Sequence, residues 1–180
     1  FDGLEKYEAI QSWAKPSDTA EQDFSYGNIL YEIKTQKQTS DKKISISSLE
    51  QLNIKSGKIF LIHQTISNNK DTEEKLPAFS LLKKVNELRS IFKKDGENIQ
   101  TINLFEQKLL ESKYEDRDEY DEDLYSLVKR RYFEISSTFP RITRLKVHKL
   151  IQTASYTLNT TDLAEWEIKN LNVIKANTNQ

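Results

Sequence analysis

Apolar positions along this chain recur with two different periods. From Ile29 to Thr35 (ILYEIKT) they alternate, with Ile29, Tyr31 and Ile33 on one face and Leu30, Glu32 and Lys34 on the other, as in a β-strand. Residues 22–26 (QDFSY) lead into that run through Gly27-Asn28, a two-residue turn signal, so the pair predicts a hairpin. Lys42 to Ile46 alternates briefly. Ser47 and Ser48 then precede Leu49-Glu50-Gln51-Leu52, which predicts a short serine-capped helix. After Ser56-Gly57, residues 58–66 (KIFLIHQTI) are the most apolar run and predict a strand central in a sheet. The period then changes. Phe79, Leu82, Val85, Leu88 and Phe92 fall at helical spacing, with Gly96 as a C-terminal stop. A second helix from Ile99 to Ser112 is carried by Ile102, Phe105 and Leu109. From Leu124 the pattern is strand-like again, over 124–135, 147–158 and 165–174, with a bend at Phe139-Pro140. The opening stretch to Lys15 is weakly helical, ends at Pro16 and offers Trp13 as a core anchor.

The order strand-rich, helical, strand-rich predicts a mixed α/β fold, a sheet flanked by helices with a strand-rich C-terminal part. At 180 residues the chain has the size of one domain. Residues 1–113 are expected to form its core and 114–180 a C-terminal extension of the same domain. Four Gly, three Pro and no Cys exclude collagen-like and disulfide-framework classes, thiol chemistry and zinc-thiolate sites. No stretch approaches the ~20 apolar residues of a membrane helix. No basic-then-apolar leader opens the chain. A cytoplasmic protein with no membrane partner is expected. The chain begins at Phe1 and holds no Met, so its natural N-terminus is expected upstream.

Charge changes the picture further. The net value of -1 hides residues 115–123 (EDRDEYDED), seven acids against Arg117, and residues 129–149, seven Lys/Arg against Glu134. The acidic run lacks the glycine and spaced bidentate Glu of a calcium loop and is expected to be a solvated loop. The basic run interleaves Arg130, Arg131, Arg141, Arg144 and Lys146 with Tyr132, Phe133 and Phe139. These cations are candidates for phosphate contacts, with an ordinary amphipathic strand pair as the alternative.

Nucleophile relays have few ways to assemble from His63 and His148 with no Cys, and His63 alternates within an apolar strand as a satisfied core histidine would. There is no Gly-rich phosphate loop. Carboxylates with lysine remain. Asp23 followed by Glu32-Ile33-Lys34 has the form Asp…(Asp/Glu)-x-Lys. Phosphodiester hydrolysis needs a divalent metal at the scissile phosphate, and Mg²⁺ prefers a few hard oxygens completed by water. Asp23 and Glu32 on neighbouring strands supply two such oxygens, and the Ile33 backbone carbonyl a third. Lys34, on the face of Glu32, can orient the attacking water and offset charge on the phosphate. The bare pattern is weak, since acid-x-Lys also occurs at Asp41-Lys43, Glu73-Lys75, Glu106-Lys108 and Glu167-Lys169. Only the first instance has an Asp across a hairpin turn before it and a central strand after it.

The run from Ala9 to Leu52 resembles a bacterial family of restriction-endonuclease-like, defence-associated PD-(D/E)XK motif proteins. The resemblance is carried by Trp13, Pro16, Asp23-Phe24, Glu32-Ile33-Lys34-Thr35 and Ile46-Ser47-Ser48-Leu49-Glu50-Gln51-Leu52. Leu104-Phe105-Glu106 with Leu109-Leu110, and Phe139-Pro140-Arg141-Ile142, are similar to its later landmarks. It implies a restriction-endonuclease-like fold, metal ligation by Asp23 and Glu32, a catalytic Lys34, and Ser48 and Gln51 supporting the site or touching DNA. The expected activity is a Mg²⁺-dependent endonuclease, with Mn²⁺ as a substitute, acting on double-stranded DNA in a restriction or phage-defence system. The expected assembly is a homodimer or a complex with other defence-system subunits. The rivals are a catalytically silent DNA-binding or scaffold subunit with the same fold, and a plain structural partner protein.

Overall fold

Alternation at 29–35 and 58–66 becomes two long strands that pair in parallel at the middle of a mixed sheet. The computed structural model describes residues 5–14, 21–55, 57–68, 76–94 and 99–169. In it β1 (Phe24–Tyr26) and β2 (Ile29–Lys37) form the expected hairpin, with Tyr26 opposite Ile29 across the Gly27-Asn28 turn. After β3 (Lys43–Ile46) the chain returns as β4 (Lys58–Asn68), parallel to β2. Two residues, β5 (Ala78–Phe79), precede the helices. With β6 (Tyr125–Glu134) antiparallel to β4, the sheet order is β1-β2-β4-β6-β5, so β4 is central as its apolar composition predicts. β3 pairs instead with β7 (Tyr156–Asn159) in a second, two-stranded sheet.

Alternation divides the apolar residues between the two faces of the large sheet. Leu30, Ile59, Leu61, Phe133 and Ile135 pack with Ile44 and Ile46 of β3 and Leu158 of β7. Ile29, Tyr31, Phe60 and Ile62 form the other face. A further cluster joins α1 (Lys6–Gln11), α2 (Leu81–Lys94) and α3 (Ile99–Glu111) through Ile10, Val85, Phe92, Phe105 and Leu109, with Trp13 packed against it as the expected anchor.

Gly57 sets the entry to β4. Its φ of 70° is left-handed, and a Cβ there would lie 2.0 Å from the Asn28 carbonyl oxygen, which accepts the Lys58 N–H at 2.8 Å. Gly27 also has positive φ (54°), but nothing lies within 4 Å of its Cβ position. Gly57→Ala is therefore expected to cost at least ~2 kcal/mol and Gly27→Ala only about 1, measured as urea unfolding free energies.

Several expectations are corrected. Leu49–Leu52 is a turn, not a helix: the Ser48 hydroxyl accepts the Gln51 N–H at 3.2 Å, but no helical ladder follows, and Leu49 and Leu52 are buried. Phe79 belongs to β5; α2 starts after Ser80, whose hydroxyl accepts the Lys83 N–H. Of the strand expected over 147–158, only Tyr156–Asn159 finds a partner strand, so 147–155 stays irregular. Of the strand expected over 165–174, its first two residues belong to a 3-10 turn, Leu163–Trp166, and among the described residues Glu167 alone bridges to a strand, at Phe133; residues 170–174 lie outside the described residues. The acidic run is more than a solvated loop. It contains α4 (Glu119–Glu122), Asp116 accepts from Arg89 at 2.8 Å, and Asp121 accepts from Ser80 at 2.5 Å. Pro16, Gly96 and Glu73-Lys75 lie outside the described residues.

Candidate active site

The site begins where β1 stops pairing with β2. Phe24 pairs with Tyr31 at the end of the hairpin ladder, and the Ile33 N–H beyond it is taken by a side chain, the Asp23 carboxylate, at 2.6 Å. Asp23 is held there by its own backbone, whose carbonyl accepts the Ala14 N–H at 2.8 Å. N–H and C=O of one strand residue point to the same edge, so the Ile33 carbonyl also lies on the Asp23 side of β2.

One step back along β2, Glu32 is 1% exposed and sits beside Leu61 of β4. Its Oε1 meets Lys34 Nζ at 2.7 Å, an i,i+2 contact that requires both side chains on one sheet face, as the alternation predicts. Its Oε2 is buried and, among the described residues, has no hydrogen-bond partner. Burial pushes the Glu32 carboxyl up to about 7; the hydrogen bond from Lys34 opposes this, and the Asp23 charge adds to it. Repulsion from Asp23 places the two carboxylates within electrostatic reach of each other.

Lys34 is steadied from the other side by Gln51, whose amide oxygen lies 3.4 Å from Nζ and also accepts the Ser47 N–H at 2.9 Å. Ser48 caps the same turn. The structure thus brings Asp23, Glu32, Lys34 and Gln51 together, with Ser48 one bond removed.

Three of the other acid-x-Lys sequences are accounted for differently. Glu106 pairs with Arg89 at 2.7 Å, while buried Lys108 donates to the Gln11 and Trp13 carbonyls at the end of α1. Asp41 and Lys43 make an exposed pair at 3.2 Å. Glu167 pairs with Arg131 at 2.8 Å.

Alternation and register also place residues on the Glu32 face that sequence reasoning did not assign. The row Glu32–Leu61–Phe133 is followed by Lys34–His63–Arg131 and then by Gln36–Thr65–Lys129. His63 is the buried core histidine expected, at 3% exposure, but it is not satisfied. Neither ring nitrogen has a partner among the described residues, and the same holds for Gln36 Oε1 and Ser67 Oγ. Burial, with Arg131 and Lys129 adding to it, lowers the His63 pKa and so favours the neutral ring. The spacing Glu32, Lys34, Gln36 was visible in the sequence; the parallel register that sets His63 beside Lys34 was not.

The five basic candidates do not form one strand surface. Arg130 and Arg131 stand on β6, and Arg130 is exposed with its guanidinium on Gln64 at 3.0 Å. Arg131 is tied to Glu167 and to the Thr160 carbonyl, and its guanidinium lies 4.8 Å from the Phe133 ring centre. Arg141 donates to the Leu52 carbonyl. Arg144 donates to Glu50 at 2.9 Å. Lys146 is exposed.

Asp23 and Glu32 suit a hard divalent cation. Both offer carboxylate oxygen, and burial of an unpartnered oxygen beside a second negative charge is an arrangement that a cation relieves. No cluster of three or more His, Cys, Asp or Glu with metal-holding geometry occurs among the described residues.

A family model described as "Putative PD-(D/E)XK family member, (DUF4420)" matches residues 2–161. The mixed sheet flanked by helices agrees with the nuclease-like fold of that description. No curated protein and no solved structure matches the chain. No helix among the described residues is long and apolar enough to cross a membrane.

Proposed function

We propose, on the premise that this chain belongs to the PD-(D/E)XK family matched over residues 2–161, that it is a metal-dependent endodeoxyribonuclease. One observation carries the proposal: Glu32 Oε2 is buried with no partner among the described residues, within electrostatic reach of Asp23, and Lys34 is held on the same face by Glu32 and Gln51. Asp23, Glu32 and the Ile33 carbonyl would hold Mg²⁺, or Mn²⁺ in its place. When bound, the ion supplies charge neutralisation at the scissile phosphate and activation of the attacking water. Lys34 orients that water and offsets the charge that builds on the phosphate. Gln51 fixes the lysine, and Ser48 holds the turn that carries Gln51.

Residues 1–113 supply the catalytic groups in this proposal and 114–180 the surface for double-stranded DNA. Of the five basic candidates, Arg130 and Lys146 are the phosphate contacts, while the internal bonds of Arg131, Arg141 and Arg144 shape that surface. The protein works in the cytoplasm in a restriction or phage-defence system, as a homodimer or with other subunits. Plasmid cleavage with and without Mg²⁺ or Mn²⁺ tests the activity. Binding tests the surface. Arg130→Ala and Lys146→Ala should each weaken metal-free DNA binding and flatten its salt dependence by roughly one unit of log–log slope. An unchanged slope assigns those cations to a solvated face.

A further inference from the structure

Residues 141–152 (RITRLKVHKLIQ) hold four Lys/Arg and no acid. Four large aliphatics in this short segment, Ile142, Leu145, Leu150 and Ile151, are exposed. Leu145 stands 98% exposed on the 3-10 turn Arg144–Lys146, and Leu150 is 74% exposed. Single exposed leucines are ordinary, but four aliphatics set among cations within ten residues are not. Each of the two most exposed leucines has an exposed lysine beside it in the chain, Lys146 and Lys149.

The segment is built rather than loose. Arg144 closes it on itself by donating to the Ile151 and Gln152 carbonyls, and pins it to the turn after β3 through Glu50. Arg141 adds a second pin at the Leu52 carbonyl. Glu50 and Leu52 flank Gln51, the residue that meets Lys34. An apolar, cationic tip is therefore anchored one residue from a contact of the candidate lysine.

We propose that this loop is a DNA wedge: Lys146 and Lys149 meet the backbone while Leu145, with Leu150 supporting it, enters the base stack of a duplex. A simple phosphate-binding loop would have no reason to expose leucines, and an apolar protein interface no reason to surround them with cations and exclude acids. Duplex DNA answers to both features, since aliphatic side chains unstack base steps while cations neutralise phosphates. The proposal rests on duplex DNA being the partner, not on cleavage.

Its test needs neither metal nor a known recognition sequence. A closed plasmid is relaxed in EDTA by a metal-independent topoisomerase in the presence of the full chain, and its linking number is read on a gel after the protein is removed. Bound wild-type protein should lower the linking number in proportion to its density, because a wedge unwinds the duplex. Leu145→Ala, at a fully solvated position where folding is not at stake, should abolish the change at equal bound density. Lys146→Ala/Lys149→Ala should lower affinity but keep the change per bound molecule. Wild-type binding without a change in linking number, or an unaltered change in Leu145→Ala, overturns the wedge and leaves the nuclease proposal standing. No duplex binding by wild type overturns the wedge, and plasmid cleavage with Mg²⁺ or Mn²⁺ then decides the nuclease proposal separately. A dimer in sedimentation that Leu145→Ala converts to monomer, with DNA topology unaffected, makes the loop a protein interface and likewise overturns the wedge.

Discussion

Glu32→Gln is expected to lower Mg²⁺-dependent DNA cleavage by at least about 10²-fold while leaving metal-free DNA affinity nearly unchanged. The substitution keeps the shape of the side chain and removes its charge, so the Lys34 contact at 2.7 Å can persist while the hard anionic donor is lost. Lys34→Ala should lower cleavage by a similar factor for a different reason: the cation is missing where negative charge grows, and Asp23 and Glu32 remain. The two variants then separate in metal binding, which Glu32→Gln weakens and Lys34→Ala largely spares. Asp41→Asn is the control, because its acid-x-Lys pair is exposed on both sides and should not change the rate. Glu167→Gln is a poor control, since it would free Arg131 beside His63. If wild-type protein cuts no DNA with Mg²⁺ or Mn²⁺, alone or with partner subunits, the chain is a silent DNA-binding or scaffold subunit.

What was legible in the sequence follows the range of the forces involved. The β1–β2 hairpin, β4 and the helices α2 and α3 declare themselves through local periods and the Gly27-Asn28 turn, and each is present. Glu32 and Lys34 share a face for the same local reason. Residues 147–155 show the limit. Val147, Leu150 and Ile151 look strand-like, but a strand exists only with a partner, and β3 has register for Tyr156–Asn159 alone. At Leu49–Leu52 a capping serine is legible, yet after that cap and one backbone bond, from the Asn53 N–H to the Glu50 carbonyl, no ladder continues: Leu49 and Leu52 are buried and the Leu52 carbonyl goes to Arg141. The unpartnered nitrogens of His63 depend on a parallel register between strands separated by β3, and no local period reports that. Burial of Glu32 was equally hidden. It arises from β4 and from the apolar cluster that ends at Leu61 and Phe133, not from anything near Glu32 in the chain.

That burial predicts a stability that runs against the usual pH trend. In the metal-free protein the Glu32 carboxyl is raised from 4.5 to about 7, so the folded state holds its proton more tightly than the unfolded state does. Between those values unfolding releases a proton, and stability falls as pH rises through the window. A gap of about 2.5 units corresponds to roughly 3 kcal/mol, absent near pH 4 and fully developed by about pH 8. Glu32→Gln cannot titrate. Its unfolding free energy by urea should match wild type near pH 4 and exceed it by up to ~3 kcal/mol at pH 8. His63, whose lowered pKa makes it act in the opposite direction at acid pH, contributes to both proteins and cancels in the difference. Mg²⁺ in excess should restore wild-type stability at pH 8, because a ligand that binds only the folded state adds its binding free energy, and it should do little for Glu32→Gln. Parallel wild-type and Glu32→Gln curves from pH 4 to 8 would show that the carboxyl sits in no such desolvated, repulsive place, and the metal-holding role of Glu32 would lose its physical basis.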